Sequence, residues 1–186
     1  PAALAANRGG ETATLYFGGG TPSMLSDTHL GRLMETLDRL VPVDKLDEFS
    51  FEANPATFTE KKVRFWRSLG MTRVSLGVQS LDSGILHLLG REHTPAQALH
   101  SVEMLKNAGM PHINMDLMFA IPGQTLSIWE TTLKEAVRAG TDHISAYNLT
   151  YEEDTEFFRS LLRGEKRQDP DEDAAFFELA EHMLEA

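Results

Sequence analysis

Short apolar runs alternate along the chain with longer stretches that have the periodicity of amphipathic helices. The runs cover residues 12–17, 48–52, 73–78, 113–119 and 143–149. Their centres are rich in Val, Ile, Leu, Phe and Tyr, the composition of strands that are buried on both faces of a sheet. Because each run is followed by a helical stretch, the pattern predicts parallel β/α units with five strands.

Helix start and stop signals lie between the predicted strands. At Thr94 the start signal is complete, since Pro95 occupies the first helical position and Gln97 is placed to form a capping box. Glycines end three of the helices. The predicted helices begin at or directly after Ser26, Thr59, Thr94, Ser127 and Asp169-Pro170, and the terminating glycines are Gly70, Gly109 and Gly140.

The predicted fold class is α/β, as a partial (β/α) barrel of parallel strands with outer helices. Five strands are too few to close an eight-stranded barrel. We assign residues 1–150 to an incomplete core barrel, and residues 151–186 to a charged connection and a helix that lead to an absent C-terminal region. The chain begins at Pro1 rather than at a methionine, so we expect an interior fragment whose first strand is also missing.

Composition excludes several classes of function. The chain has 17 Lys plus Arg against 28 Asp plus Glu, and its formal net charge of −11 disfavours binding to the phosphate backbone of nucleic acids. It contains no cysteine, which excludes disulfides, a cysteine nucleophile and an iron–sulfur cluster held by this chain alone. No apolar stretch is long enough to predict a membrane span, and no signal-peptide pattern opens the chain.

Polar residues stand at the carboxyl ends of the predicted strands, where parallel β/α folds bind ligands. The triple glycine at residues 18–20 leaves backbone groups open to a ligand, or it forms only a tight turn. Glu52 ends the second strand and is either functional or part of an ordinary salt bridge. Gln79 follows the third strand and either meets a ligand or caps the next turn.

A carboxylate inside an apolar run is the clearest of these signals. Asp116 lies within the fourth predicted strand, and a buried charge needs a partner. A structural ion pair with Arg73 or Arg91 is one explanation, and a functional role is the favoured one. None of the histidines has the spacing of a metal site, and His93 is the histidine whose surroundings merit attention.

Seven short motifs, spread over nearly the whole chain, carry a resemblance to a known family. They are YFGGGTPS at residues 16–23, EANP at 52–55, RVSLGVQS at 73–80, GREH at 90–93, NMDLM at 114–118, IPGQT at 121–125 and SAYNLTYE at 145–152. In this order the chain resembles the radical S-adenosylmethionine (SAM) proteins related to oxygen-independent coproporphyrinogen III oxidase. The GREH and PGQT forms favour the HemW branch, the proposed heme chaperones, over the oxidase proper.

The resemblance implies a site for SAM on a radical SAM barrel. The glycine motif would hold the methionyl amino group, and the glutamate would contact SAM. The glutamine, arginine and aspartate would position the nucleotide and the methionyl end. A hydrogen-bond acceptor such as aspartate suits the ribose hydroxyls of SAM, and an arginine suits its methionyl carboxylate. The implied site residues are Gly19, Gly20, Thr21, Glu52, Gln79, Arg91 and Asp116. No residue of this chain is implied as catalytic or as a metal ligand.

The chain departs from the family at the cluster. The family holds its [4Fe–4S] cluster on three cysteines in a C-x3-C-x2-C loop after the first strand, and this chain has none. Our first predicted strand corresponds to the family's second, so we expect the barrel to comprise strands 2–6 and the cluster ligands to lie upstream of Pro1. A His-Asn-containing motif linked to heme binding would lie downstream. Alone, this polypeptide should not reduce SAM.

The resemblance therefore implies an interior fragment of a HemW-like protein that binds SAM and a [4Fe–4S] cluster and acts in heme trafficking or insertion in the cytoplasm. Heme or a porphyrin, and heme-accepting proteins, would be its partners. One alternative is oxygen-independent coproporphyrinogen III oxidase, an oxidoreductase that forms protoporphyrinogen IX. Another is a non-catalytic barrel that binds SAM or heme without a cluster. A metal-dependent barrel enzyme built on Glu52 and Asp116 would need more rim carboxylates. The oligomeric state is open.

Overall fold

The described residues form one parallel sheet. A computed structural model describes residues 13–149 and 170–185. The strands β1 (Thr14–Phe17), β2 (Glu48–Ala53), β3 (Arg73–Gln79), β4 (His112–Phe119) and β5 (His143–Asn148) lie side by side in the order β1-β2-β3-β4-β5. Every neighbouring pair is parallel, as crossover connections require. The sheet does not close, which confirms an α/β partial barrel.

Helices connect the strands. They are α1 (Asp27–Leu37), α2 (Glu60–Ser68), α3 (Ser83–Leu88), α4 (Pro95–Asn107), α5 (Leu126–Ala139) and α6 (Pro170–Leu184), with short 3-10 turns at Pro22–Met24 and Val43–Lys45. The N-caps at Ser26, Thr59 and Thr94 are confirmed, and Thr94 forms the complete capping box with Gln97.

Two details of the helix prediction are wrong. The cap of α5 is Thr125, whose hydroxyl accepts the backbone N–H of Ile128, so Ser127 lies inside the first turn instead of starting it. The short helix α3 was not predicted, because its six residues give little periodicity to read. Asp82 caps α3 by accepting the N–H of Ile85, and Gln79 has no part in that cap.

The two faces of the sheet differ in chemistry, although both contain buried residues. One face meets the helices through an apolar core that includes Phe49, Phe51, Val74, Leu76, Ile113, Met115 and Leu117. The other face carries a set of polar side chains: Glu48, Ser50, Glu52, Arg73, Ser75, Asn114, Asp116 and Ser145. Successive side chains of a strand point to opposite faces, so one strand supplies both surfaces. The polar face is the inner face of the partial barrel.

Helix α6 returns to the core after a segment that lies outside the described residues. The indole Nε1–H of Trp129 on α5 donates to the carbonyl of Phe176 at 3.0 Å, and Phe176 itself is buried in the core. The Asn148 amide donates to Asp173 at 2.9 Å and joins α6 to the end of β5. The charged connection and the proposed boundary at residue 150 fall on undescribed residues and remain predictions.

Across residues 13–149 and 170–185, no helix combines the length and the apolar character that crossing a bilayer requires.

Candidate functional site

The carboxyl ends of β2, β3 and β4 bring three of the expected site residues to one region of the polar face. Parallel pairing sets Glu52 level with Ser75, and sets Asp116 level with Gly77. A Cβ at Gly77 would come within 2.9 Å of the Asn54 Oδ1 atom, so the glycine keeps this space clear. The neighbouring strands thus leave an opening into which polar side chains project.

Glu52 is held in place from two sides. Its Oε2 atom accepts the backbone N–H of Gly19 at 3.0 Å, and its Oε1 atom accepts the hydroxyl of Tyr16. Burial, this hydrogen bond and the charge of Glu52 raise the pKa of Tyr16 to about 12. Tyr16 is therefore a proton donor throughout the physiological range, and it keeps the carboxylate pointed at the glycine loop.

The glycine loop is open rather than tightly packed. Gly19 has a φ of +88°, a conformation that glycine adopts at little cost, and a Cβ on Gly19 or Gly20 would meet nothing within 4 Å. The loop borders a cavity of about 380 Å³ that also contacts Tyr16 and Leu33. Thr21 closes the loop, since its hydroxyl accepts the Asn54 amide at 3.4 Å. Exposed backbone groups at this loop are available to a ligand.

Gln79 is almost fully buried, with 5% of its surface exposed. Its Oε1 atom accepts the hydroxyl of Tyr147, which fixes the orientation of the amide. Burial raises the pKa of Tyr147, and the nearby Asp116 carboxylate adds to the rise, whereas the charge of Arg91 opposes it. Residues of β4, β5 and the loop after α3 therefore share one electrostatic environment.

Among the described residues no arginine pairs with Asp116, so the alternative of a structural ion pair with Arg73 or Arg91 is wrong. Its Oδ2 atom accepts the Ser75 hydroxyl at 2.8 Å and its Oδ1 atom accepts the Asn114 amide at 2.7 Å. Arg73 instead lies 3.3 Å from Glu48, farther down the barrel. Burial raises the pKa of Asp116, and hydrogen bonds to the carboxylate limit this rise.

A second layer of side chains orients Asn114. Its Oδ1 atom accepts His143 Nδ1–H at 2.6 Å and the Ser145 hydroxyl at 3.1 Å, while its amide also donates to Ser75 at 2.7 Å. Because the acceptor side of Asn114 is occupied, its amide nitrogen faces Asp116. The carboxylate is thus held by neutral groups and keeps its charge available.

Arg91 lies on the loop after α3 and is half-buried. It borders a cavity of about 210 Å³ together with Asn54, Thr57 and His93. Within the part of the chain that the structure describes, no carboxylate lies within ion-pairing distance of its guanidinium. A half-buried guanidinium that no described carboxylate pairs with is suited to bind an anionic group of a ligand.

Replacing Asp116 by Asn is expected to change how the free energy of unfolding depends on pH. In the folded chain the pKa of Asp116 is raised, so the unfolded chain loses this proton first as pH rises. The free energy of unfolding that depends on Asp116 is then lost progressively above about pH 4, the ordinary range of an aspartate. Relative to the parent, Asp116→Asn should therefore gain stability from pH 4 to pH 7, as urea unfolding at three pH values would measure. Parallel stability profiles of the two proteins would contradict a raised pKa.

Several supporting residues were not assigned a role by sequence reasoning. Tyr16, Asn114 and Tyr147 stand inside the recognised motifs, but nothing in composition singles them out. The alternation along β3, β4 and β5 was the available signal, because it places every second residue on the polar face. Which of these side chains meet depends on the register between strands.

Comparison with known proteins defines the class. The Radical SAM superfamily profile matches residues 2–136, and the chain belongs to this superfamily. It is 37% identical over 151 residues to the heme chaperone HemW of Lactococcus lactis, covering 81% of this chain and 40% of the relative. It is 34% identical over 175 residues to HemW of Bacillus subtilis, covering 93% of this chain and 46% of the relative. The chain thus spans less than half the length of these curated relatives.

A solved structure shows the same fold. Coproporphyrinogen III oxidase (HemN) from Escherichia coli, a radical SAM enzyme, superposes with a TM-score of 0.83 at 23% identity, over 98% of this chain and 42% of that one. At this identity the similarity establishes the architecture alone. The five strands described here therefore form part of a radical SAM barrel.

Proposed function

We propose that this chain forms the SAM-binding part of a HemW-like protein that handles heme. One observation carries the proposal: Glu52, Gln79 and Asp116 come from three neighbouring strands to one rim of a radical SAM barrel, and each is held by a second side chain. Side chains fixed by such supports present their polar atoms without a further entropic cost on binding.

The chemistry of these residues fits SAM. At neutral pH, SAM carries a sulfonium, an ammonium and a carboxylate group. Glu52 and the open backbone of Gly19 and Gly20 suit the ammonium. The guanidinium of Arg91, which pairs with no carboxylate of the described residues, suits the carboxylate. Asp116 supplies an acceptor for ribose hydroxyls, and Thr21 shapes the loop. When bound, SAM supplies a carbon–sulfur bond that one-electron reduction breaks.

The cluster does not fit this chain. A [4Fe–4S] cluster is held by cysteine thiolates, and the sequence contains no cysteine. No step of the chemistry is therefore assigned to residues of this polypeptide. Its residues bind and orient SAM, and the proposed cluster ligands belong to sequence outside Pro1–Ala186.

Heme handling is the finer part of the proposal. Its support is the name of relatives that are 34% and 37% identical, together with the GREH and PGQT forms of this sequence. Heme or a porphyrin, heme-accepting proteins as partners and a cytoplasmic location belong to the proposal in the same way. The oxidase is the competing function, since its fold is the same.

The decisive experiment uses the protein encoded by the complete reading frame, reconstituted with iron and sulfide. Labelled SAM in equilibrium dialysis tests the binding site, and titration with heme followed by absorbance tests the carrier function. Heme binding without conversion of coproporphyrinogen III to protoporphyrinogen IX is expected. Formation of that product would establish the oxidase instead, and absence of SAM binding would overturn the proposed site.

A further inference from the structure

The backbone at Gln79 adopts a conformation that ordinary residues avoid. Gln79 has a φ of +69°, and the Ser80 N–H donates to the Val78 carbonyl at 2.9 Å, which closes a γ-turn around Gln79. A γ-turn with positive φ is rare and strained for a residue with a side chain. The strand pairing also shifts here, between Gly77 and Gln79. Neighbouring groups must therefore hold this turn in place.

His93 is the side chain that reaches this turn from outside the strand. It is 7% exposed, and its Nε2 atom lies 3.1 Å from the Val78 carbonyl oxygen. A carbonyl oxygen only accepts, so the proton is on Nε2 and the tautomer follows. Burial lowers the pKa of His93, which favours this neutral donor. The Val78 carbonyl thus accepts both the bond that closes the turn and the bond from His93.

The amide of Gln79 is fixed at its other end. Because Oε1 accepts the hydroxyl of Tyr147, the amide nitrogen remains as a donor. The hydrogen bond from His93 to the Val78 carbonyl and the hydrogen bond from Tyr147 to the Gln79 side chain together fix the position of this donor. The same loop that carries His93 also carries Arg91, two residues earlier, at the edge of the same region.

We propose that His93 is a positioning residue, which stabilises the γ-turn at Val78–Ser80 and thereby presents the Gln79 amide to SAM. This inference rests on the proposed function, because it concerns the same site. It adds that a histidine that need not touch SAM controls the affinity for SAM through the backbone at Gln79. A histidine that only fills the core would affect stability and leave Gln79 where it is.

The test compares three variants of the complete protein by equilibrium dialysis with labelled SAM. His93→Gln keeps an amide donor near the position of Nε2, and its dissociation constant should stay within about threefold of the parent. His93→Leu has no donor and should weaken SAM binding about tenfold, the effect of one lost buried hydrogen bond. His100→Leu, at an exposed position of α4, is the matched control and should leave binding unchanged. If His93→Leu does not fold, His93→Asn, whose amide is too short to reach Val78, replaces it.

A double-mutant cycle distinguishes positioning from simple destabilisation. In a Gln79→Ala background, the loss of the His93 donor should weaken SAM binding by less than about twofold, because the group that it positions is gone. An undiminished loss in that background, or no rescue by His93→Gln, would overturn the role of His93 while SAM binding by the parent stands. Failure of the parent to bind SAM would instead overturn the proposed function.

Discussion

Glu52→Gln is expected to weaken SAM binding by the complete protein about ten- to hundredfold, the range of one charge-assisted hydrogen bond. The carboxylate accepts from both Tyr16 and the Gly19 N–H, and it is the negative charge beside the glycine loop. Glutamine keeps the shape but has a single acceptor oxygen and no charge. Equilibrium dialysis with labelled SAM measures the loss directly.

The folded state should tolerate Glu52→Gln. Tyr16 is 59% exposed, so its bond to Glu52 lies at the rim and contributes little to stability. We expect a change in the free energy of unfolding below about 1 kcal/mol. A loss of SAM binding that is accompanied by unfolding would show that Glu52 has a structural role instead.

Glu48→Gln is the matched control. Glu48 lies on the same strand and on the same face, four residues earlier, which places it ~13 Å from Glu52 along β2. It is paired with Arg73 at 3.3 Å, and both side chains are about a third exposed, at 36% and 31%. Its replacement should change SAM affinity by less than about twofold, as expected for a surface pair. Equal losses from both variants would mean that SAM does not occupy the rim at Glu52.

Trp129→Ala is expected to lower the free energy of unfolding by about 3–5 kcal/mol, the usual cost of removing a buried aromatic side chain. Trp129 is fully buried, and its ring lies 5.7 Å from that of Phe119 between their centroids. It also donates to the Phe176 carbonyl, so its loss removes the contact that fastens α6 to α5. Urea unfolding gives the magnitude, and hydrogen exchange reports on α6.

Trp129→Phe separates the ring from the hydrogen bond. Phenylalanine keeps most of the apolar contact with Phe119 but has no N–H, so we expect a loss of about 1–2 kcal/mol. Exchange of the α6 amides should accelerate in both variants, and more in Trp129→Ala. Equal stability of Trp129→Phe and the parent would mean that the bond to Phe176 contributes nothing to the anchoring of α6.

The sequence predicted the elements well where the signals are local. The N-caps at Ser26, Thr59 and Thr94, and the glycines Gly70 and Gly109 after the last two of these helices, follow from the chemistry of single turns. Helix α3 was not predicted from the sequence, because a helix of six residues has too few apolar repeats to show a periodicity. Helix α5 is capped by Thr125, whereas the sequence predicted a start at Ser127. Thr and Ser are both good N-caps, so local chemistry alone does not distinguish them.

The expected site residues show the same division. Glu52, Gln79 and Asp116 could be located from the sequence, since each is a polar residue at or near a strand end. Their partners could not, because partners depend on pairing between strands. From their charges, Arg73 and Arg91 were the possible partners of Asp116. The register between the strands instead places the neutral Ser75 and Asn114 beside it.

The amino-acid sequence by itself determined the alternation of strands and helices, the parallel pairing that this alternation predicts, the family and the absence of cysteine ligands in this chain. Only the tertiary structure decided which polar groups meet: the hydroxyl of Tyr16 at Glu52, that of Tyr147 at Gln79, and His93 under the γ-turn. The physical reason is range. Caps and turns depend on neighbours within a few residues, whereas these contacts join residues that are 36, 68 and 15 positions apart and exist only once the sheet has set its register.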